Sequence, residues 1–300
     1  MNGIQAILQR ASKHLALRIV FAMLAFAGNS LLCRVALKST SIDPASFTIV
    51  RLLAGAVFLW ALVRYRSGLQ RGQGRLHQAI SPSHSSWLSA MALWVYAAAF
   101  SFAYVGLTAA TGALVLFGAV QASMTSYGLA KGERLSARQW LGMALALGGL
   151  VFLLLPNVSA PPLANALLMV LAGMAWAVYS LRGKSATDPL QATAGNFKLA
   201  VVPALLLSLL TLSSMSWDLQ GVLYACASGA LASGAGYVVW YAVLPRISPT
   251  SAATLQLSVP VIAALGGLLL GERVTLHLLL CSAVVLVGVG LVTIRLSRPI

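Results

Sequence analysis

Gly132-Glu133-Arg134-Leu135-Ser136 recurs as Gly271-Glu272-Arg273-Val274-Thr275, 139 residues further on. The same offset pairs Thr111 with Thr250, Ala113 with Ala252, Val120 with Val259, Leu147 with Leu286 and Gly149 with Gly288. Going backwards it pairs Phe102-Ala103 with Tyr241-Ala242. One half of the chain is therefore a diverged copy of the other. Long apolar runs flank each copy of the motif. Two copies of an apolar bundle in one chain are the sequence pattern of a transporter.

The composition agrees. The chain is 59% apolar and 8% charged, with a mean hydropathy of +0.88, whereas soluble domains are about a quarter charged. These values describe an all-α membrane protein, sized by helices that cross lipid rather than by one soluble core. The net charge of +15 would suit nucleic acid. Position decides against that partner, because Lys and Arg fall in short connectors between apolar runs, the footprint of membrane orientation. The expected partners are the lipid bilayer and a small-molecule substrate. Cys33, Cys226 and Cys281 lie inside apolar runs and read as small buried hydrophobes. His14, His77, His84 and His277 show no metal-binding spacing, so neither metal nor cofactor is expected.

Working outward, the apolar runs define ten spans of about 20 residues. They cover about Arg18–Leu37, Pro44–Val63, Ser86–Tyr104, Thr108–Ala130 and Ala137–Leu155 in the first half. In the second half they cover about Leu163–Leu181, Pro189–Leu212, Leu219–Leu244, Thr250–Leu270 and Leu276–Ile294. The first half, 1–155, starts with a polar basic tail; the second half is 156–300, with the joint at Asn157–Pro162. Asp43-Pro44 and Asp188-Pro189 open the second and seventh spans with the same device: an acidic N-cap, then a Pro that needs no N–H partner. Residues 64–85 form a long basic connector. Ala25-Phe26-Ala27 resembles a signal-peptide cleavage site. It also parallels Ala175-Trp176-Ala177 of the other half, and a retained repeat element is the better reading.

With the N-terminus cytoplasmic, inner segments hold fifteen of the Lys and Arg residues and outer segments hold only Lys38 and Arg273. This sets both termini in the cytoplasm. Five spans per half is an odd number, so the second copy enters the membrane upside down. That is the inverted-repeat architecture, with a site near the midplane that opens to either side in turn.

Asp43-Pro44 followed by Arg51, Gly-Glu-Arg after the fourth and ninth spans, and two five-span halves together resemble the EamA-type members of the drug/metabolite transporter superfamily. The chain is most similar to bacterial amino-acid exporters, including the aromatic amino-acid (YddG-type) branch. The resemblance implies a bacterial inner-membrane exporter whose site faces the first, third, fourth, sixth, eighth and ninth spans. The second half departs from the Asp-Pro…Arg pattern, with Asn196 where the first has Arg51.

Arg51 lies seven residues beyond Pro44, about 10 Å along a helix. A charge at such depth costs about 2.5–3.5 kcal/mol on insertion scales, so it must face protein or water. Its readings are a gate contact, a partner for a substrate carboxylate, or a scaffold arginine bonding loop carbonyls. Lys198 can snorkel. Glu133 and Glu272 sit at the interface, pairing with the adjacent Arg or holding the helix turn, while Ser136 and Thr275 cap the helices that follow.

Acid is missing from the spans. Asp43, Glu133, Asp188, Asp218 and Glu272 all lie at span ends. Proton relays use buried carboxylates or His, so transport that is nearly independent of pH between about 6 and 8 is expected. The same absence argues against a membrane enzyme. What remains inside is neutral and aromatic: Asn29, Tyr96, Phe100, Phe117, Gln121, Trp176, Tyr179, Tyr237, Tyr241 and Gln256. This set is the expected substrate site. It suits an amino acid with an apolar or aromatic side chain, while a sugar or nucleotide-sugar carrier of similar fold, or a passive channel, stays open. Trp60, Trp87, Trp140 and Trp217, near span ends, are expected in the membrane–water belt.

Overall fold

A chain crossing lipid must satisfy its backbone N–H and C=O groups internally, and helices do so within one segment. In the computed structural model, which describes residues 2–72, 85–154, 161–272 and 275–293, all regular structure is helical. The first-half helices are α1 (Asn2–Ser39), α2 (Pro44–Gly72), α3 (Trp87–Tyr104), α4 (Ala109–Ala130) and α5 (Ala137–Leu154). Then come α6 (Leu163–Gly183), α7 (Pro189–Leu210), α8 (Leu219–Ala227), α9 (Gly236–Val243), α10 (Pro249–Gln256), α11 (Val259–Leu269) and α12 (Leu276–Thr293).

Among the described residues, eight stretches are long and apolar enough to cross a membrane, including Leu219–Arg246 and Pro249–Leu269. The fifth and tenth expected spans correspond to α5 and α12, 18 residues each, which lie outside those eight and pack on one another. α2 crosses α7, α3 lies along α6, and α4 touches α6, α10 and α11. Trp60, Trp87, Trp140 and Trp217 are all exposed.

Several boundaries differ from the sequence reading. The expected tail is helical from Asn2, and α2 runs through Arg64 and Arg66 to Gly72, nine residues past Val63. Neither extension contains a Pro, and Gly3 and Gly68 are carried inside the helices. Of the connector, 73–84 lies outside the described residues, as do 155–160, which include 157–160 of the joint, and Arg273. The eighth span is not a continuous α-helix, because a π segment, Ser228–Ala235, separates α8 from α9. Ser228, Gly229, Ser233 and Gly234 make it rich in small residues. The ninth is broken at Leu257-Ser258, because Pro260 cannot donate a hydrogen bond back to Gln256. Pro203, by contrast, is held inside a single helix, α7.

The opening carboxylates act as expected. Asp43 Oδ1 accepts from the N–H groups of Ala45 and Ser46 at 2.9 and 3.0 Å. Asp188 Oδ1 accepts from those of Leu190 and Gln191 at 3.1 and 3.2 Å. Each such cap stabilises its helix by about 1 kcal/mol. The other oxygens differ: Asp43 Oδ2 accepts from Ser216 N–H at 2.9 Å, and Asp188 takes a bidentate pair from Arg66. Partial burial pushes both carboxyls up. It is outweighed by Ser216 and Ser46 at Asp43 and by Arg66 at Asp188, and both end below the usual carboxylate range.

The Gly-Glu-Arg motifs end α4 and α11 identically. Gly132 (φ 87°) and Gly271 (φ 74°) occupy the left-handed region that favours glycine. The next N–H then returns to the helix, from Glu133 to Gly128 O and from Glu272 to Gly267 O, each at 2.9 Å, which is a Schellman cap. Each carboxylate folds back over a second glycine, so that a Cβ at Gly128 would fall 1.9 Å from Glu133 Oε2 and one at Gly267 2.8 Å from Glu272 Oε2. Among the described residues Glu133 makes no ion pair with Arg134; both glutamates reach across the bundle. Glu133 Oε2 accepts from the Thr250 hydroxyl at 2.7 Å, and Glu272 Oε2 accepts from Ala109 N–H at 2.9 Å. Each copy thus covers the start of a helix from the other half. Ser136 and Gln139 bond reciprocally at the start of α5, as a capping box.

Candidate substrate site

Three helices each present two aromatics one turn apart: Tyr96 and Phe100 on α3, Trp176 and Tyr179 on α6, Tyr237 and Tyr241 on α9. Positions three or four apart share a face, and the three faces converge. Trp176 lies 5.1 Å from Tyr96, 4.7 Å from Tyr237 and 5.9 Å from Tyr179, centroid to centroid. Tyr179 meets Tyr241 edge-on at 5.6 Å. Each such pair contributes about 0.5–1.5 kcal/mol beyond burial.

The π segment brings α2 into this cluster. A Cβ at Gly229 would fall 2.0 Å from the Arg51 carbonyl oxygen, so only glycine lets the two backbones approach. Arg51 is 1% exposed. Its Nη2 donates to the hydroxyls of Tyr96 (3.1 Å) and Tyr237 (3.2 Å), and its Nε donates to Ser233 Oγ (3.3 Å). The guanidinium carbon stands 5.1 Å from the Tyr96 ring centroid and 5.0 Å from that of Phe100, contacts worth about 0.5–2 kcal/mol each. Nη1 has no hydrogen-bond partner. Arg51 therefore does not bond loop carbonyls. Arg34 does, through Nη1 to Tyr104 O (2.9 Å) and Val105 O (3.1 Å).

The ion pairs among the described residues are Arg34 with Glu272 and Arg66 with Asp188, both near helix ends. Arg51 is thus a buried cation without a carboxylate, an arrangement that costs several kcal/mol unless an anion completes it. Asn29 is buried in the same cluster. Its Nδ2 donates to the Tyr96 hydroxyl (2.9 Å), and its Oδ1 accepts from Ser228 Oγ (2.6 Å).

The other expected residues divide. Trp176 Nε1 donates to Gln256 Oε1 at 2.6 Å, which ties the break between α10 and α11 to the cluster. Phe117 joins through Phe26, stacked at 6.4 Å. Gln121 is buried but stands apart from the rings, bonded to Thr125 (3.0 Å) and Thr254 (3.4 Å). Lys198 is exposed, on the outer face shared by α2 and α7. No group of three metal-ligating residues occurs among the described residues.

Phe26 is the residue the sequence reading missed. It meets Trp176 (5.3 Å), Tyr237 (6.0 Å) and Trp240 (5.7 Å) edge-on. The signal was present, since Phe26 and Trp176 hold equivalent places in the paired Ala-aromatic-Ala stretches. Trp240, Phe197 and Ser233 were also missed. Nothing in one sequence fixes which side of a uniformly apolar helix faces inward.

The model of the EamA-like transporter family matches residues 163–294. An uncharacterized protein of Pseudomonas aeruginosa is 52% identical over 281 residues, covering 93% of this chain and 94% of that one. A protein of Archaeoglobus fulgidus described as an uncharacterized transporter is 28% identical over 262 residues, covering 83% and 86%. A solved crystal structure superposes with a TM-score of 0.68 at 19% identity, covering 94% of this chain and 97% of that one. The fold is common to both.

Proposed function

The chain belongs to the EamA-like transporter family, and from that premise we propose that this multi-pass membrane transporter exports amino acids with apolar or aromatic side chains. The observation that carries the reading is Arg51: a buried guanidinium with a free Nη1, no carboxylate, and aromatic rings around it. A substrate carboxylate would complete that charge, and its side chain would lie among Phe26, Tyr96, Trp176 and Tyr237. Asn29 and the tyrosine hydroxyls offer acceptors to an ammonium group. A sugar would want more polar groups than this lining supplies.

The architecture proposed is ten spans in two inverted halves, 1–155 and 156–300, in a bacterial inner membrane with both termini cytoplasmic. Two exchanges under the 139-residue offset support it. A Cβ at Gly142 would meet Gly288 O at 2.6 Å, and one at Gly149 would meet Cys281 O at 3.2 Å; the offset turns one pair into the other. The reach of Glu133 and Glu272 is a looser second: the offset takes Thr250 to Thr111, and Glu272 bonds Ala109, two residues before it.

The test is counterflow in liposomes carrying the purified protein, with phenylalanine, tryptophan, leucine, glycine and glucose. Saturable exchange of the first three, with glycine and glucose at background, is expected. Trp176→Ala or Tyr96→Ala should each slow phenylalanine exchange about tenfold at unchanged expression, the equivalent of one or two ring pairs. Glucose exchange would move the protein to the sugar carriers, and flux that never saturates would make it a channel. Wild-type rates in both variants would refute the lining.

A further inference from the structure

A second arginine stands at the end of the bundle that carries Glu133. There, the start of α3 and the ends of α4 and α6 enclose a cleft of about 660 Å³, bordered by Ser86, Ser89, Tyr127, Val178, Arg182 and Ser185 among others. Arg182 Nε donates to Ser89 Oγ at 2.9 Å, and its Nη2 donates to Ser86 Oγ at 3.1 Å. Ser86 is the N-cap of α3, accepting from Ser89 N–H at 3.2 Å. One edge of the guanidinium is thereby fixed to a helix start, while Nη1 takes no part in these bonds. A planar guanidinium held in place at an exposed position suits a carboxylate, and the positive end of α3 adds to the attraction. No Asp or Glu borders the cleft.

A polar path leads inward from it. Asn196 Oδ1 accepts from Ser86 N–H at 3.2 Å. Beside Asn196 stands the Tyr179 hydroxyl, fully buried and without a hydrogen-bond partner. The Tyr179 ring meets Tyr237 at 6.3 Å, and the Tyr237 hydroxyl is bonded to Arg51. On α6, Trp176 lies six residues before Arg182, about 9 Å along the axis. The buried Tyr179 hydroxyl thus lies between the exposed Arg182 and Arg51, whose Nη1 has no partner.

We propose that Arg182, held by Ser86 and Ser89, is a first station for the carboxylate of the transported amino acid, which Tyr179 then guides inward to Arg51. This rests on the amino-acid reading above. A carboxylate that passes between two guanidinium forks loses its water in two steps rather than one. The phosphate of an anionic lipid offers similar chemistry at a membrane surface, and the experiment separates the two sources.

In detergent, the purified protein is treated with phenylglyoxal and the modification of Arg182 is followed by peptide mass. Protection about fivefold or greater by 3-phenylpropionate, little by 3-phenylpropionamide and little by phosphatidylglycerol is expected for a carboxylate fork. In liposomes, Arg182→Gln should raise KM for phenylalanine counterflow about tenfold, with the maximal rate within about twofold, and Arg182→Lys should recover part of the loss. Equal protection by the amide, protection by phosphatidylglycerol alone, or an unchanged KM in Arg182→Gln would each overturn the station. Protection by 3-phenylpropionate without exchange of any amino acid would leave the station standing and remove the amino-acid reading. Amino-acid exchange with no protection would do the reverse.

Discussion

The two copies of the Gly-Glu-Arg motif share a backbone and differ in grip. Glu272 accepts from Ala109 N–H and pairs with Arg34 at 3.1 Å, while Arg34 also holds the last carbonyls of α3. Glu133, at the opposite end of α4, accepts one hydroxyl, that of Thr250. Space follows the grip: the cleft beside Arg34 and Glu272 measures about 140 Å³, against about 660 Å³ beside Arg182. The weaker latch stands at the roomier end. In this conformation the Glu272 contacts are the fuller of the two sets.

A second asymmetry lies at the centre. Arg51 and Asn196 both follow an Asp-Pro cap by eight residues. Arg51 crosses to Ser233 and Tyr237 of the second half; Asn196 crosses to Ser86 of the first. The duplicated position therefore serves as a charged contact in one half and as part of a helix cap in the other. The largest effect should come from erasing the charge. Arg51→Gln should lower phenylalanine counterflow on the order of 100-fold, about 2.7 kcal/mol, as for a lost charge-assisted pair. Asn196→Ala should lower it only about fivefold, because a hydrogen bond to a neutral group is worth about 1 kcal/mol. Comparable losses in both would show that the two positions act alike and would remove the carboxylate role from Arg51.

The latches give a smaller contrast, read as thermal stability in detergent. Glu272→Gln removes one partner of a nearly buried ion pair (12% and 5% exposed side chains), a change that costs about 3 kcal/mol when the remaining charge is left unpaired. Glu133→Gln keeps an acceptor for Thr250 and should cost about 1 kcal/mol. If Glu133→Gln destabilises as much as Glu272→Gln, the latches are equal and the cleft sizes need another cause.

What the sequence disclosed and what it hid have physical reasons. Helix starts were legible because Asp-Pro and Ser-x-x-Gln are local devices, closed within four residues. The convergence of Tyr96, Trp176 and Tyr237 was accessible through spacing plus the repeat. The π segment was not legible: Ser228, Gly229, Ser233 and Gly234 read as small packing residues, and only the backbone of Arg51 pressing on Gly229 shows why they are needed. The reach of Glu133 and Glu272 was hidden for a related reason. A glutamate beside an arginine suggests a local pair, while its actual partners lie 117 and 163 residues away. Phe26 left one sign, the Ala-aromatic-Ala stretch it shares with Trp176, and no periodic one, because a helix apolar on every side does not mark its inner face.

The smallest contrast concerns the two caps, identical at Oδ1 and different at Oδ2. Asp43→Asn or Asp188→Asn would keep one acceptor and turn an amide towards a donor, Ser216 N–H in one case and Arg66 in the other. Each should cost about 1 kcal/mol near neutral pH. Both carboxyls are held below the usual range, so each contributes stability above its ordinary pKa and loses it as pH falls through the lower, folded value. The wild-type advantage over either Asn variant should therefore be complete at neutral pH and fade below about pH 4. Salt separates them. The Arg66–Asp188 pair is partly exposed (36% and 22% side chain), and at 1 M salt the screening length shrinks to about 3 Å, so part of the Asp188 advantage should disappear. The Asp43 advantage rests on backbone N–H groups and should persist. Thermal melts of the three proteins at low and high salt decide it: equal salt sensitivity in the two variants would mean that the Arg66 pair adds nothing beyond the cap, and that the two Asp-Pro starts are energetically the same device.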